Sequence, residues 1–123
     1  MKLKIKTSQG EVIAELNDTK TSKMIFENLP IEGRANVWGE EIYFEIPVVT
    51  NLEEPTKQEM EVGDIAYWPG GNAFCIFFGK TPASTSEKPM AISDVTFLGR
   101  VDRMDLFKEV KDGDSIVLER NNP

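Results

Sequence analysis

The sequence predicts a small, mainly-β domain: a closed antiparallel barrel with two short helices. Three observations carry this reading. Short stretches alternating apolar and polar residues recur along the chain, with turn residues between them. Only two stretches have helical spacing. A chain of 123 residues holds one core and is too short for two, and closing the sheet on itself removes exposed edges. The expected organisation is a single domain over residues 1–123.

The elements follow in order. "LKIKT" and "GEVIAEL" each alternate with period two, and the "SQG" break between them predicts a β-hairpin. "NDTKTSKMIFENLP" offers helix-start residues at Asn17, Asp18, Thr19 and Thr21, then Met24, Ile25 and Leu29 at helical spacing, with Pro30 as the stop. "EGRANVWGEEIYFEIP" divides into two short strands around Gly39. Ile42, Phe44 and Ile46 share one face, Tyr43 and Glu45 the other, and Pro47 limits pairing. Glu40 and Glu41, beside Gly39, are expected in an exposed turn.

Residues 50–61 are polar and acidic and are expected to form a solvated loop. "VGDIAYWPGGNAFCIFFG" reads as strand, turn and strand, with the glycines of the turn serving φ > 0. "KTPASTSEKP" is a loop, "DVTFLGRV" a strand, and "DRMDLFKEV" a short helix with Asp102 as N-cap. "DSIVLER" supplies the last strand after the "KDGD" turn. The total is roughly eight strands, with the helices plugging the mouths of the barrel.

Composition excludes more than it names. A net charge of −7, with no basic cluster, argues against nucleic acid or an anionic membrane as partner. The N-terminus carries no apolar run of the secretion-signal kind, and the longest apolar stretch, "AFCIFF", is far below the roughly 20 residues that span a bilayer. One cysteine cannot form an internal disulfide, which fits a reducing, cytoplasmic setting. The absence of histidine removes Ser-His-Asp and Cys-His nucleophile systems and imidazole metal sites. No calcium-type acidic loop is present, so neither metal nor cofactor is expected.

The stretch "NAFCIFF" is apolar on both faces. Ala73, Cys75 and Phe77 share one, while Phe74, Ile76 and Phe78 share the other. One face can fill the core; the other needs a helix, loop, partner or ligand to cover it. Cys75 has no basic neighbour in sequence and reads as an inert buried thiol.

The order of features resembles that of the cyclophilins. "KTSQGEVIAELNDTKTSKMIFENL" is similar to their opening strand, glycine turn, second strand and first helix. "VTFLGRVDRMDLFKEV" is similar to their "VFGRV…GMDVV" segment, and "GNAFCIFFGKTPA" lies where they carry "NGSQFFI" and a Thr-Pro-rich loop. The chain is shorter than typical members and looks most like the short, atypical cyclophilin-like proteins of prokaryotes. The resemblance implies a barrel with a surface groove, and in the family an arginine in that groove weakens the X–Pro amide during isomerisation. Here the "FHRVIP" position reads "YFEIP". The arginine position becomes Ile46 when aligned from Phe44, or Phe44 when aligned from Pro47; neither carries a guanidinium. The family's glutamine turn and histidine have no counterpart either.

The resemblance therefore implies a groove lined by Tyr43, Glu45, Trp68, Ala73, Cys75 and Phe77, with Trp68 as a flat lid. Glu45 is either solvated or turned into the groove, where it would favour a cationic or hydrogen-bond-donating ligand. The expected function is a binding protein that holds a small molecule or proline-containing peptide segment. A weak or altered peptidyl-prolyl isomerase is the first alternative, and an oligomer assembly module the second. Oligomeric state and the reach of Arg34 into the groove are left open.

Overall fold

Ten strands join one antiparallel sheet in the computed structural model, which describes residues 1–121; the last two residues of the expected 1–123 domain lie outside the described residues. The strands are β1 (Lys2–Thr7), β2 (Gly10–Leu16), β3 (Ile31–Arg34), β4 (Asn36–Trp38), β5 (Glu41–Glu45), β6 (Thr56–Glu59), β7 (Asp64–Trp68), β8 (Ala73–Phe77), β9 (Met90–Val101) and β10 (Ser115–Arg120). Helix α1 spans Lys20–Glu27, and short 3-10 turns cover Pro69–Gly71 and Asp105–Glu109. The sheet runs β3-β10-β1-β2-β9-β7-β8-β5-β4, with β6 added on β9.

The mainly-β antiparallel class holds, but hydrogen bonds do not close the sheet as expected of a barrel: no ladder joins β3 to β4 among the described residues. Those two end strands are consecutive lengths of chain separated by Ala35 alone. Ala35 bonds instead to the turn before β10, donating to Asp114 O at 2.8 Å and accepting from Gly113 N at 2.8 Å. The strand count exceeds eight because "EGRANVW" breaks at Ala35 and because β6 forms.

Alternation governs the first hairpin. Leu3 and Ile5 of β1 and Val12, Ala14 and Leu16 of β2 turn inward, while the lysines of β1 remain at the surface. Of the candidate caps, Thr19 is the N-cap of α1, its hydroxyl accepting from Ser22 N at 3.1 Å. Glu53, far along the chain, accepts from Lys20 N and Thr21 N at 2.9 Å each and from the Thr21 hydroxyl at 2.6 Å. The Thr21 hydroxyl, more than the backbone donors, holds this carboxyl below its ordinary range. A carboxylate from a loop thus supplies acceptors for first-turn N–H groups that α1 cannot bond internally.

Three local expectations are corrected. Residues 50–61 are not all loop: Thr56–Glu59 pairs with β9, matching Thr56 to Thr96 and Lys57 to Val95. This polar segment forms a strand because a neighbouring edge supplies its backbone partners, and because the Lys57 ammonium lies 4.8 Å from the centre of the Phe97 ring. The second helix is a 3-10 turn, and Asp102 does not cap it; its Oδ1 accepts from Ile13 N at 3.2 Å and so ties β2 to the end of β9. Lastly, Gly70 and Gly71 do not have positive φ. The left-handed residue of that turn is Asn72, with φ 49°.

The two faces of β8 enter different cores. Phe74, Ile76 and the following Phe78 join the main cluster with Ile42, Phe44, Ile65 and Tyr67. Ala73, Cys75 and Phe77 form a second, smaller cluster with Ala66, covered by Met60, Ala91 and Val95. The cover that the sequence required for this face is therefore supplied in large part by the chain itself, through β9 and the end of β6.

Candidate functional site

The second cluster is incompletely roofed. At its edge lies a cavity of about 70 Å³ lined by Trp38, Glu41, Tyr43, Trp68 and Ile92. Register explains how these residues meet. The two-residue loop Gly39–Glu40 joins β4 to β5, so Trp38 stands directly across from Glu41. Tyr43 follows two residues later on the same face of β5. Across the sheet, Glu41 pairs with Phe77, Tyr43 with Cys75, and Ala73 with Trp68. One face of four strands thus carries the aromatic rings, with small and apolar side chains between them.

The walls are fixed by more than contact. The Tyr43 and Trp68 rings meet at 89° with centroids 5.9 Å apart, an edge-to-face arrangement that forms a corner. The Trp68 indole donates through Nε1 to Ser93 Oγ at 3.1 Å. Its underside rests on the Pro69–Gly71 turn: a Cβ on Gly70 would lie 2.7 Å from Nε1, and one on Gly71 would lie 2.8 Å from Cζ3. These glycines are required by the close approach of the indole, not by left-handed backbone.

Glu41 is the chemical centre of the cavity. Expected in an exposed turn, it is instead 5% exposed, and its Oε1 is buried without a hydrogen-bond partner among the described residues. Burial drives its pKa up to about 8, opposed only by the Cys75 thiol beside it. Cys75 is buried, and burial first, then the Glu41 charge, pushes its thiol well above the ordinary range, consistent with an unreactive sulfur. At neutral pH Glu41 is mostly protonated; an incoming donor or cation can change that.

The residues expected to line a groove are distributed unevenly. Tyr43 and Trp68 line the cavity. Ala73, Cys75 and Phe77 are buried in the cluster beside it, at 1%, 1% and 0% exposure. Glu45 shares the face of Glu41 and Tyr43 but is exposed, across from Ala73, and does not line the cavity. Arg34 is exposed on β3, donates to Gly113 O at 3.3 Å, and does not line it either. Sequence reasoning missed Trp38, Glu41 and Ile92. The signal was available for two of them: a two-residue loop after Trp38 puts Glu41 opposite it and in phase with Tyr43. Among the described residues no cluster of His, Cys, Asp or Glu could hold a metal ion.

This is the architecture of a small antiparallel β-sheet protein with an aromatic cavity on one face of its sheet. The chain belongs to the cyclophilin-like family, whose model matches residues 1–119. It is also similar to a protein of known structure, the hypothetical protein AF2241 from Archaeoglobus fulgidus. The two are 41% identical with a TM-score of 0.84, over 98% of this chain and 95% of the other. A search of curated proteins found no match. Both positions that align with the family arginine, Phe44 and Ile46, are buried apolar residues of the main core. No helix among the described residues is long and apolar enough to cross a membrane.

Proposed function

We propose that this protein is a non-catalytic member of its family that binds a small molecule in the cavity of Trp38, Glu41, Tyr43, Trp68 and Ile92. One observation carries the reading: Glu41, a buried acid whose Oε1 has no partner among the described residues, lines a space walled by three aromatic rings. Native structures satisfy nearly all buried polar atoms, and exceptions cluster where a ligand or reaction completes the set. At about 70 Å³ the cavity is small, so it suits a small headgroup better than a length of peptide. A single sheet carrying every strand supports action as one domain, and the unpaired Cys75 fits a cytoplasmic setting.

A fragment screen by two-dimensional NMR tests this. Fragments that bind should shift the indole N–H signals of Trp38 and Trp68 together, and Tyr43→Ala should weaken that response at least about tenfold, the loss of one ring wall. If binders shift only signals remote from the two indoles, the cavity is not the site. Acceleration of prolyl exchange in a proline peptide at high protein concentration would restore the isomerase reading.

A further inference from the structure

We infer that the ligand is a small organic ammonium cation, its charge held by the Glu41 carboxylate and its alkyl groups by the rings of Trp38, Tyr43 and Trp68. The inference rests on the cavity being the binding site, as proposed above. Three features of the site point to this class. Three electron-rich rings around one small volume are the arrangement that recognises alkylated ammonium groups, and the gain grows as the site is desolvated. The Glu41 carboxyl, unpartnered at Oε1, is a polar group that no apolar ligand would satisfy, and once ionised it repels an anion and attracts a cation. Glu41 has no part in any ion pair among the described residues, so the compensating positive charge is not supplied from within.

A metal cation fits poorly. Hard divalent ions take six or more oxygen ligands, whereas this cavity offers one carboxyl among aromatic and aliphatic walls. An alkylammonium needs only one counter-charge and prefers to be surrounded by rings. A neutral donor could satisfy Oε1 but would gain little from the rings.

Binding is then coupled to a proton. The titratable groups facing Glu41 are Cys75 of β8 and Tyr43 of its own strand; Trp38 of β4, Phe77 of β8, Trp68 of β7 and Ile92 of β9 carry no charge. With Glu41 near 8, about a tenth of the free protein has the ionised form at pH 7. A cation selects that form, so the Glu41 proton leaves to solvent as the cation enters. Apparent affinity should rise about tenfold per pH unit below the Glu41 pKa and level off above it.

Calorimetric titration of the full chain with choline and with neohexyl alcohol, in which carbon replaces the quaternary nitrogen, tests the inference. Choline should bind at least about tenfold tighter than the alcohol above pH ~8, with proton release below it. Glu41→Gln should abolish the pH dependence and most of the preference. If that variant does not fold, Tyr43→Leu should weaken choline more than the alcohol. Equal binding of the two ligands, both lost in Tyr43→Leu, would overturn the cation class and leave the cavity reading standing. Failure of choline to bind while fragments do bind at the two indoles would overturn it in the same way. Failure of every probe to reach the indoles would overturn both.

Discussion

Asp64 and Glu41 each begin a strand of the same sheet with a buried carboxyl, and the protein completes one and not the other. The Asp64 side chain has no exposed surface. Its Oδ2 accepts from Lys57 Nζ at 2.7 Å and Glu61 N at 2.8 Å, and its Oδ1 from Arg100 Nη1 at 2.6 Å. β6 and β9 bring in those two cations. Around Glu41 the corresponding neighbours are Trp38, Phe77 and the Cys75 thiol, and among the described residues no charged group answers it. A buried carboxylate is costly unless paired. The fold can therefore provide a complete shell, and where it withholds one the acid must hold a proton or meet a partner from outside.

The comparison can be broken most forcefully at Asp64. Asp64→Ala should lower stability by about 3–5 kcal/mol in urea denaturation at pH 7, nearer the lower figure because Arg100 is half exposed and screened. A loss below 1 kcal/mol would mean that the two cations add nothing to the buried acid.

Glu41 should respond in the opposite direction. Its folded pKa of about 8 lies above the unfolded value of 4.5, so between these pH values the folded state binds a proton that the unfolded state lacks. Stability from this group is fully present below pH 4.5, falls as pH rises through the window, and is lost above about 8. Glu41→Gln should flatten that slope and stabilise the protein by on the order of a few kcal/mol at pH ~9, with little change at pH ~4. Denaturation midpoints measured across this range would expose the contrast; parallel pH profiles for the two proteins would contradict it.

The aromatic wall offers a smaller perturbation. Gly71→Ala puts a methyl against the Trp68 ring and should cost about 1–3 kcal/mol. The same change should shift tryptophan emission and weaken ligand response, since the indole must leave its seat. The least effect is expected at Cys75. The thiol lowers the Glu41 pKa, so Cys75→Ala should move the carboxyl carbon titration of Glu41 slightly upward and leave Asp64 unaffected. A downward movement would show that the thiol does not assist the carboxylate.

Local patterning revealed most of the fold and only two of the five cavity residues, Tyr43 and Trp68. Alternation in "NAFCIFF" correctly divided β8 into two apolar faces, because side-chain direction in a strand depends on nothing beyond the strand. β6 was hidden because "TKQE" owes its conformation to an edge of β9 some forty residues away. Glu41 was hidden for a related reason. Two glutamates beside a glycine look solvated, and only β8 and the start of β9 bring Phe77, Cys75 and Ile92 near enough to dry one of them. In "WPGG" the turn was legible, but the need for glycine arises from an indole folded back on its own backbone.

The passage of one strand from the first edge of the sheet to the last has a mechanical consequence for the cavity. The hairpin bearing Trp38 and Glu41 hangs from Ala35, whose amide is fastened to Asp114 O, and the next amide but one, Val37, donates to Asp112 Oδ1 at 2.7 Å. The turn before the final strand therefore works as a latch on the doorpost of the site. Unfastening it, as Asp112→Ala would, frees the hairpin at its root while the rings and the acid keep their own contacts, so exchange of the Val37 amide becomes a gauge of how readily the site swings open.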